Sequence, residues 1–258
     1  MQRKYNKIKF PLAFGLLLLL IIIFGCARRS RHSPYALRGK YISVSDFQFD
    51  FGYLPQGYLA KHIFRIINFS KKDIHIVDKY TTCGCTEIYL DKSMIPAHDS
   101  IYAIVMFNST GYFDAISKPA VVKTSDSRLK AINFSISANM DFTDNPLLEI
   151  QPRALVLEPE QIGSPKTIVL QNITQYSIHV TIADYYYPLL IEPQLDRHTV
   201  GIGGAAYLNV ETNKNIDSQN FSPGSITITA AIENSPWNSI NITIPVTLSI
   251  GGANRKFW

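Results

Sequence analysis

The stretch INITIPVTLSI, residues 240–250, alternates without interruption. Ile240, Ile242, Ile244, Val246, Leu248 and Ile250 fall on one side; Asn241, Thr243, Pro245, Thr247 and Ser249 fall on the other. Successive strand side chains point to opposite faces, so this segment makes a strand with one face in a core. A helix would scatter the same apolar residues around its axis. Pro245 has no amide hydrogen to give a neighbour, which predicts an edge strand. INFSIS (132–137) repeats the pattern with Ile132, Phe134 and Ile136 on the apolar side, whereas IYAIVMF (101–107) is apolar on both faces and reads as a central strand. Short runs of this kind recur from Tyr41 onward between Gly, Pro, Asn, Asp and Ser, and no long amphipathic helical period occurs. The chain is therefore expected to be all-β and built as a sandwich.

The sequence also repeats itself. INFSKKDIHI (67–76) aligns with QNITQYSIHV (171–180) as Asn68/Asn172, Ile74/Ile178 and His75/His179. FDFGYLPQG (49–57) corresponds to LVLEPEQIG (155–163), and MIPAHDSIYAIVMFN (94–108) to TVGIGGAAYLNVETN (199–213). A period of about one hundred residues is the size of an immunoglobulin-like sandwich, which predicts two in tandem, over 41–143 and 147–251, each of seven or so strands. Where the first copy has Cys83-Gly84-Cys85, the second has DYYYPLL (184–190), read as a buried strand in preference to an exposed aromatic patch.

The first 25 residues differ in kind. Arg3, Lys4, Lys7 and Lys9 precede an apolar run from Pro11 to Phe24 that ends in Gly25-Cys26. A basic start and a short apolar stretch read as a secretory signal. Ile23-Phe24-Gly25-Cys26 resembles a bacterial lipobox, which implies cleavage before Cys26, lipidation of its thiol and an acyl anchor in the membrane. Ala27 following that cysteine, by the sorting rule of such lipoproteins, points to the outer membrane, facing the periplasm. Residues 26–40, with Arg28, Arg29 and Arg31, read as a flexible tether, and 252–258 as a C-terminal tail. The formal charge of +5 falls to +1 once the four basic signal residues are removed, which leaves no patch for nucleic acid.

The first copy resembles a known bacterial family, the domain of unknown function 1573, a periplasmic relative of Hydin-like and major-sperm-protein-like immunoglobulin folds. The resemblance runs from residue 44 to about 140. It rests on Phe49-Asp50-Phe51-Gly52, Gly57, His62-x-Phe64, Asn68, Cys83-Gly84-Cys85-Thr86, Ile95-Pro96 and FNSTG (107–111), in that order. Ala97 stands where the family tends to have glycine, and GYFDAISKP (111–119) is longer than the usual turn. The resemblance implies a fold and an envelope location, and no activity.

Cys83 and Cys85 allow three readings. Two thiolates supply half a shell for Cu(I) or Zn(II), with His98 in the loop PAHDS as the available third ligand. A redox pair is the second, although no helix follows to activate a thiolate. Structural bracing of a strand corner, free or as a disulfide, is the third. No catalytic constellation stands out, so the expectation is a non-enzymatic lipoprotein that binds a protein partner, with metal trafficking or thiol chemistry at Cys83 and Cys85 as the alternative. GIGG (201–204) reads as a turn, and the six Asn-x-Ser/Thr triplets as strand chemistry.

Overall fold

The computed structural model describes residues 36–37, 41–142 and 147–249. The signal, Cys26, most of the tether, the 143–146 joint and the C-terminal tail lie outside these. Among the described residues the regular structure is strand apart from two short 3-10 turns, Pro159–Gln161 and Ser218–Asn220, as the period-two runs require.

After a two-residue β1 (Ala36–Leu37) come β2 (Ile42–Val44), β3 (Gln48–Tyr53), β4 (Leu59–Asn68), β5 (Ile74–Thr81), β6 (Thr86–Leu90), β7 (Met94–Ile95), β8 (Ser100–Asn108), β9 (Ala115–Thr124) and β10 (Ala131–Asn139). The second copy follows as β11 (Leu148–Gln151), β12 (Leu155–Leu157), β13 (Lys166–Asn172), β14 (Ile178–Tyr185), β15 (Gln194–Leu195), β16 (Thr199–Val200), β17 (Ala205–Val210), β18 (Gly224–Ile232) and β19 (Ser235–Leu248). In the first copy, β2-β4-β8-β6, extended at its β2 edge by β1 from the segment read as a flexible tether, forms one sheet and β3-β10-β9-β5-β7 the other; in the second, β11-β13-β17-β15 faces β12-β19-β18-β14-β16. The two copies thus match strand for strand, each an immunoglobulin-like sandwich. Leaving β1 aside, each has nine strands among the described residues, several of them only two or three residues long.

Two cores fill the sandwiches. Phe51, Phe64, Phe107 and Phe134 are fully buried in the first, and Ile168, Leu208, Ile228 and Ile244 in the second. At about 1.5–3 kcal/mol for each large apolar side chain, this burial dominates the stability of each lobe. The repeated asparagine recurs as structure. Asn68 Nδ2 donates to the carbonyls of Lys72, Ile95 and Pro96 at 2.8, 3.0 and 3.1 Å. Asn172 Nδ2 donates to those of Tyr176, Val200 and Gly201 at 2.8, 3.0 and 3.0 Å. Each carboxamide oxygen accepts the amide of the Ser70 or Thr174 two residues on. The Asn-x-Ser/Thr triplets at 68 and 172 are thus buried turn clips joining two loops.

The lobes are fused. In β19, Ile242 pairs in parallel with Tyr53 of β3, and Leu155 of β12 takes over opposite Val246. The second sheets of both lobes become one ten-stranded sheet. Pro245 therefore does not mark an edge. It sits where the neighbouring strand changes from β3 to β12, a stretch of β19 at which a missing amide hydrogen removes no ladder bond on that side. The polar face of INITIPVTLSI is not simply solvated either. Asn241 Nδ2 donates to Asp50 O at 2.7 Å, and the buried Thr243 hydroxyl donates to Phe51 O at 2.6 Å.

Candidate functional site: a groove at the lobe junction

The outer face of the first sandwich carries Leu59, Lys61 and Ile63 from β4, opposite Asn108, Met106 and Ile104 of β8. In a free-standing sandwich these positions would be polar. In the second copy they are: Thr167, Asn209 and Glu211 stand where Ile63, Ile104 and Met106 do, and the Thr167 hydroxyl donates to Asn209 Oδ1 at 3.0 Å. The reason IYAIVMF is apolar on both faces is now visible. β8 is a central strand between β4 and β6, and its outer side chains also meet the second lobe. Ile63 and Ile104 pack against the second core.

What covers this face is the segment DYYYPLL. It is the end of β14 running into a turn, with Tyr186, Leu189 and Leu190 buried and Tyr187 exposed. That corrects the reading of it as a strand buried on both faces. The turn closes through the Leu189 and Leu190 amides on Tyr186 O, and its polar residues reach across to the first lobe. Asp184 Oδ2 lies 2.7 Å from His62 Nδ1. The His62 ring stacks on Phe49 at 3.7 Å between centroids and meets Phe64 edge-on at 4.5 Å. Asp46 belongs to the same cluster: burial raises its carboxyl pKa, and Asp184 adds to this, while His62 opposes it. Lys61 exchanges two hydrogen bonds with Ser225, its amide donating to Oγ at 3.1 Å and its carbonyl accepting at 3.3 Å. Gly52 (φ +61°) makes the closest approach, since a Cβ built there would lie 1.9 Å from Asn241 O.

Beside this latch, the second lobe leaves part of the face uncovered. A groove of about 270 Å³ runs between Leu59, Lys61 and Met106 on one wall and Phe221-Ser222-Pro223 on the other. Gly84, Cys85, Glu87 and Tyr89 form its rim. Lys61 is only 6 % exposed. Its ammonium donates to the Ser222 hydroxyl and stands 4.7 Å over the Tyr186 ring. Burial pushes its pKa down to about 8.

The Cys-Gly-Cys stretch therefore opens onto the groove. Cys83 and Cys85 are joined in a disulfide with Cα atoms 5.3 Å apart. Its turn is pinned at 2.8 Å by the Asn108 amide on Cys85 O, and by the Thr81 hydroxyl on Cys83 O at 3.2 Å; the Thr86 hydroxyl is 3.6 Å from each sulfur. With both sulfurs in one bond, neither is a thiolate ligand. His98 does not approach them. It precedes β8 beyond Ser100, whereas Cys85 binds Asn108 at the far end of that strand, roughly 25 Å away at about 3.3 Å per residue. His98 has φ +58° and stands where the second copy has Gly203 at φ +65°, so its place is the left-handed corner of a turn. GIGG is the equivalent turn, closed by the Gly204 amide on Gly201 O. Among the described residues, no group of three or more His, Cys, Asp or Glu is placed to hold a metal ion.

Lys61, Asp184 and the Phe221–Pro223 wall were not singled out from the sequence. The available signal was Lys61 itself, a cation on the same face as Leu59 and Ile63 in the strand LAKHIFRIIN.

Two fused, repeated immunoglobulin-like sandwiches with a groove at their junction define the class of protein. Residues 42–140 match the model of the family described as protein of unknown function, DUF1573, so the resemblance drawn from the first copy holds there. No curated protein matches the sequence. Among solved structures, a protein of unknown function from Porphyromonas gingivalis W83 is similar at 12% identity and a TM-score of 0.32, over 80% of this chain and 98% of that one. The periplasmic chaperone SfaE is similar at 14% identity and 0.31, over 81% and 100%. The human CEP192 PapD-like domain 7 is similar at 9% identity and 0.33, over 41% and 90%.

Proposed function

We propose that the chain is a lipoprotein of the bacterial envelope, anchored through Cys26 at the outer membrane, that acts without catalysis by holding a protein partner. The observation that carries this reading is the outer face of the first sandwich. At Ile63, Ile104 and Met106 it is apolar where the second copy has Thr167, Asn209 and Glu211, and the second lobe covers only part of it. An uncovered apolar groove with a polar rim is what a docking surface needs.

The test places a photoreactive amino acid at Met106 in the groove and, separately, at the equivalent exposed-face position Glu211, in the full lipidated chain in its native membrane. The expected result is one discrete crosslinked protein from Met106 and none from Glu211. Equal or absent crosslinking at both positions would remove the groove as the docking site. Mass spectrometry of the mature N-terminus, compared with Cys26→Ser, tests the anchor.

A further inference from the structure

Among the described residues, Lys61 is a buried cation that makes no ion pair. The ion pairs among the described residues join Lys92 to Asp99, Lys123 to Asp78, Arg128 to Asp126, Arg197 to Asp196 and His62 to Asp184. Lys61, more deeply buried than any of the Lys or Arg in that set, has a hydroxyl and a ring face instead. Its lowered pKa has burial as its cause. The groups that share the groove do not fill the gap. Glu87 on β6 accepts the Tyr89 hydroxyl at the rim, where the Lys79 ammonium lies 5.3 Å over the Tyr89 ring. Tyr186 from the second lobe is held neutral by burial, which raises its pKa. Glu87 is thus engaged by a neutral hydroxyl at the rim and makes no ion pair with Lys61, whose buried ammonium is costly to leave without a counter-charge.

We propose that the groove is a carboxylate-binding site, in which the Lys61 ammonium receives an acidic side chain presented by an apolar segment of a partner polypeptide. Apolar surface from Leu59, Met106, Phe221 and Pro223 surrounds the ammonium, so the carboxylate arrives flanked by apolar groups. The volume, about 270 Å³, is at the small end for a metabolite pocket and suits the anchor residues of a longer chain. A charge-assisted hydrogen bond in such a desolvated place discriminates strongly between a carboxylate and its neutral amide. The inference rests on the docking reading of the same groove and adds the chemistry of what docks.

The probes are two blocked apolar hexapeptides, one containing a single glutamate and the other a glutamine in its place. Each is titrated into the full lipidated chain in detergent, with the Met106 methyl and Lys61 ammonium resonances followed by NMR. The glutamate peptide is expected to shift both resonances and to bind at least 10-fold more tightly than the glutamine peptide. Lys61→Met is expected to abolish that preference while melting at a higher temperature than the wild type, with Lys61→Gln as a second variant. Equal affinities, no binding by either peptide, or a preference that survives in the variants would each overturn the proposal. Palmitate that binds more tightly than the glutamate peptide would overturn its polypeptide source. If Met106 crosslinks a protein but the peptides are not distinguished, the docking reading stands and the carboxylate chemistry falls; the opposite pair of results spares the carboxylate site and removes protein docking in the membrane.

Discussion

At the scale of single residues, two glycines with similar sequence credentials do opposite things. Gly52 has a left-handed backbone and faces Asn241 O at a distance that admits no side chain. Gly84 has open space where its Cβ would be, and its φ is not in the left-handed region. Gly52→Ala should therefore cost about 3 kcal/mol or more, combining backbone strain with a forced separation of β3 from β19. Gly84→Ala should cost under about 0.5 kcal/mol. Chemical denaturation of the two variants checks both. Lys61 gives a pH prediction. Its folded pKa of about 8 lies below the unfolded value, so the folded state binds fewer protons between pH 8 and about 10.4. Stability on this account rises with pH across that window, and the full cost of burying the ammonium, at most about 3 kcal/mol, is present below pH 8. Wild type and Lys61→Met should thus converge in stability between pH 8 and 10, with the variant ahead at neutral pH. None of this was legible in the sequence, because a one-letter string does not say which polar residue lies under another lobe.

At the scale of elements, the alternation of hydrophobic residues was sufficient for the strands, and the repeat was sufficient for their order. INFSIS became β10 and INITIPVTL became β19 because a period of two admits no other regular structure. The faces were harder. Asn241 and Thr243 look solvated on paper, yet they bind the β3 backbone, and Pro245 sits inside a ten-stranded sheet. DYYYPLL was misjudged for the same reason. Its aromatics serve a turn and a contact with the first lobe, where local pattern carries no information. The asparagine clips were visible as a repeated letter and took on meaning only with the carbonyls around them. Asn68→Asp would place a carboxylate against three carbonyl oxygens in a buried turn, and should cost about 3 kcal/mol or more by loss of donors and burial of charge. Asn172→Asp should do the same to the second lobe, and thermal melts of the two variants give the comparison.

At the scale of the whole molecule, the resemblance of the first copy to an unknown-function family was legible from ordered motifs, whereas the groove was not, since it belongs to neither copy alone. The junction combines strand pairing, the His62–Asp184 bond, the Gly52 approach and apolar packing of Ile63 and Ile104. The two lobes should therefore unfold in one calorimetric transition. Ile63→Thr with Ile104→Asn, which writes the second copy's polar outer face into the first, removes that packing at a cost of about 2–4 kcal/mol. The expected outcome is two separated transitions with both sandwiches still folded; a single transition shifted downward would place the cohesion in the β3–β19 pairing instead.

That pairing also bears on how such a chain can change over generations. A duplicated sandwich ordinarily yields two modules that can be shuffled, trimmed or copied again. Here the last long strand of one unit completes the backbone edge of the third strand of the other, with Thr243 bonded to a carbonyl 192 positions earlier. Deleting the later unit would strip the earlier one of a sheet neighbour and expose Ile63 and Ile104 together. Inserting a third unit between them would have to preserve the parallel contact across the gap. The two copies share one sheet, so they are free to diverge in surface and groove only as far as that sheet allows.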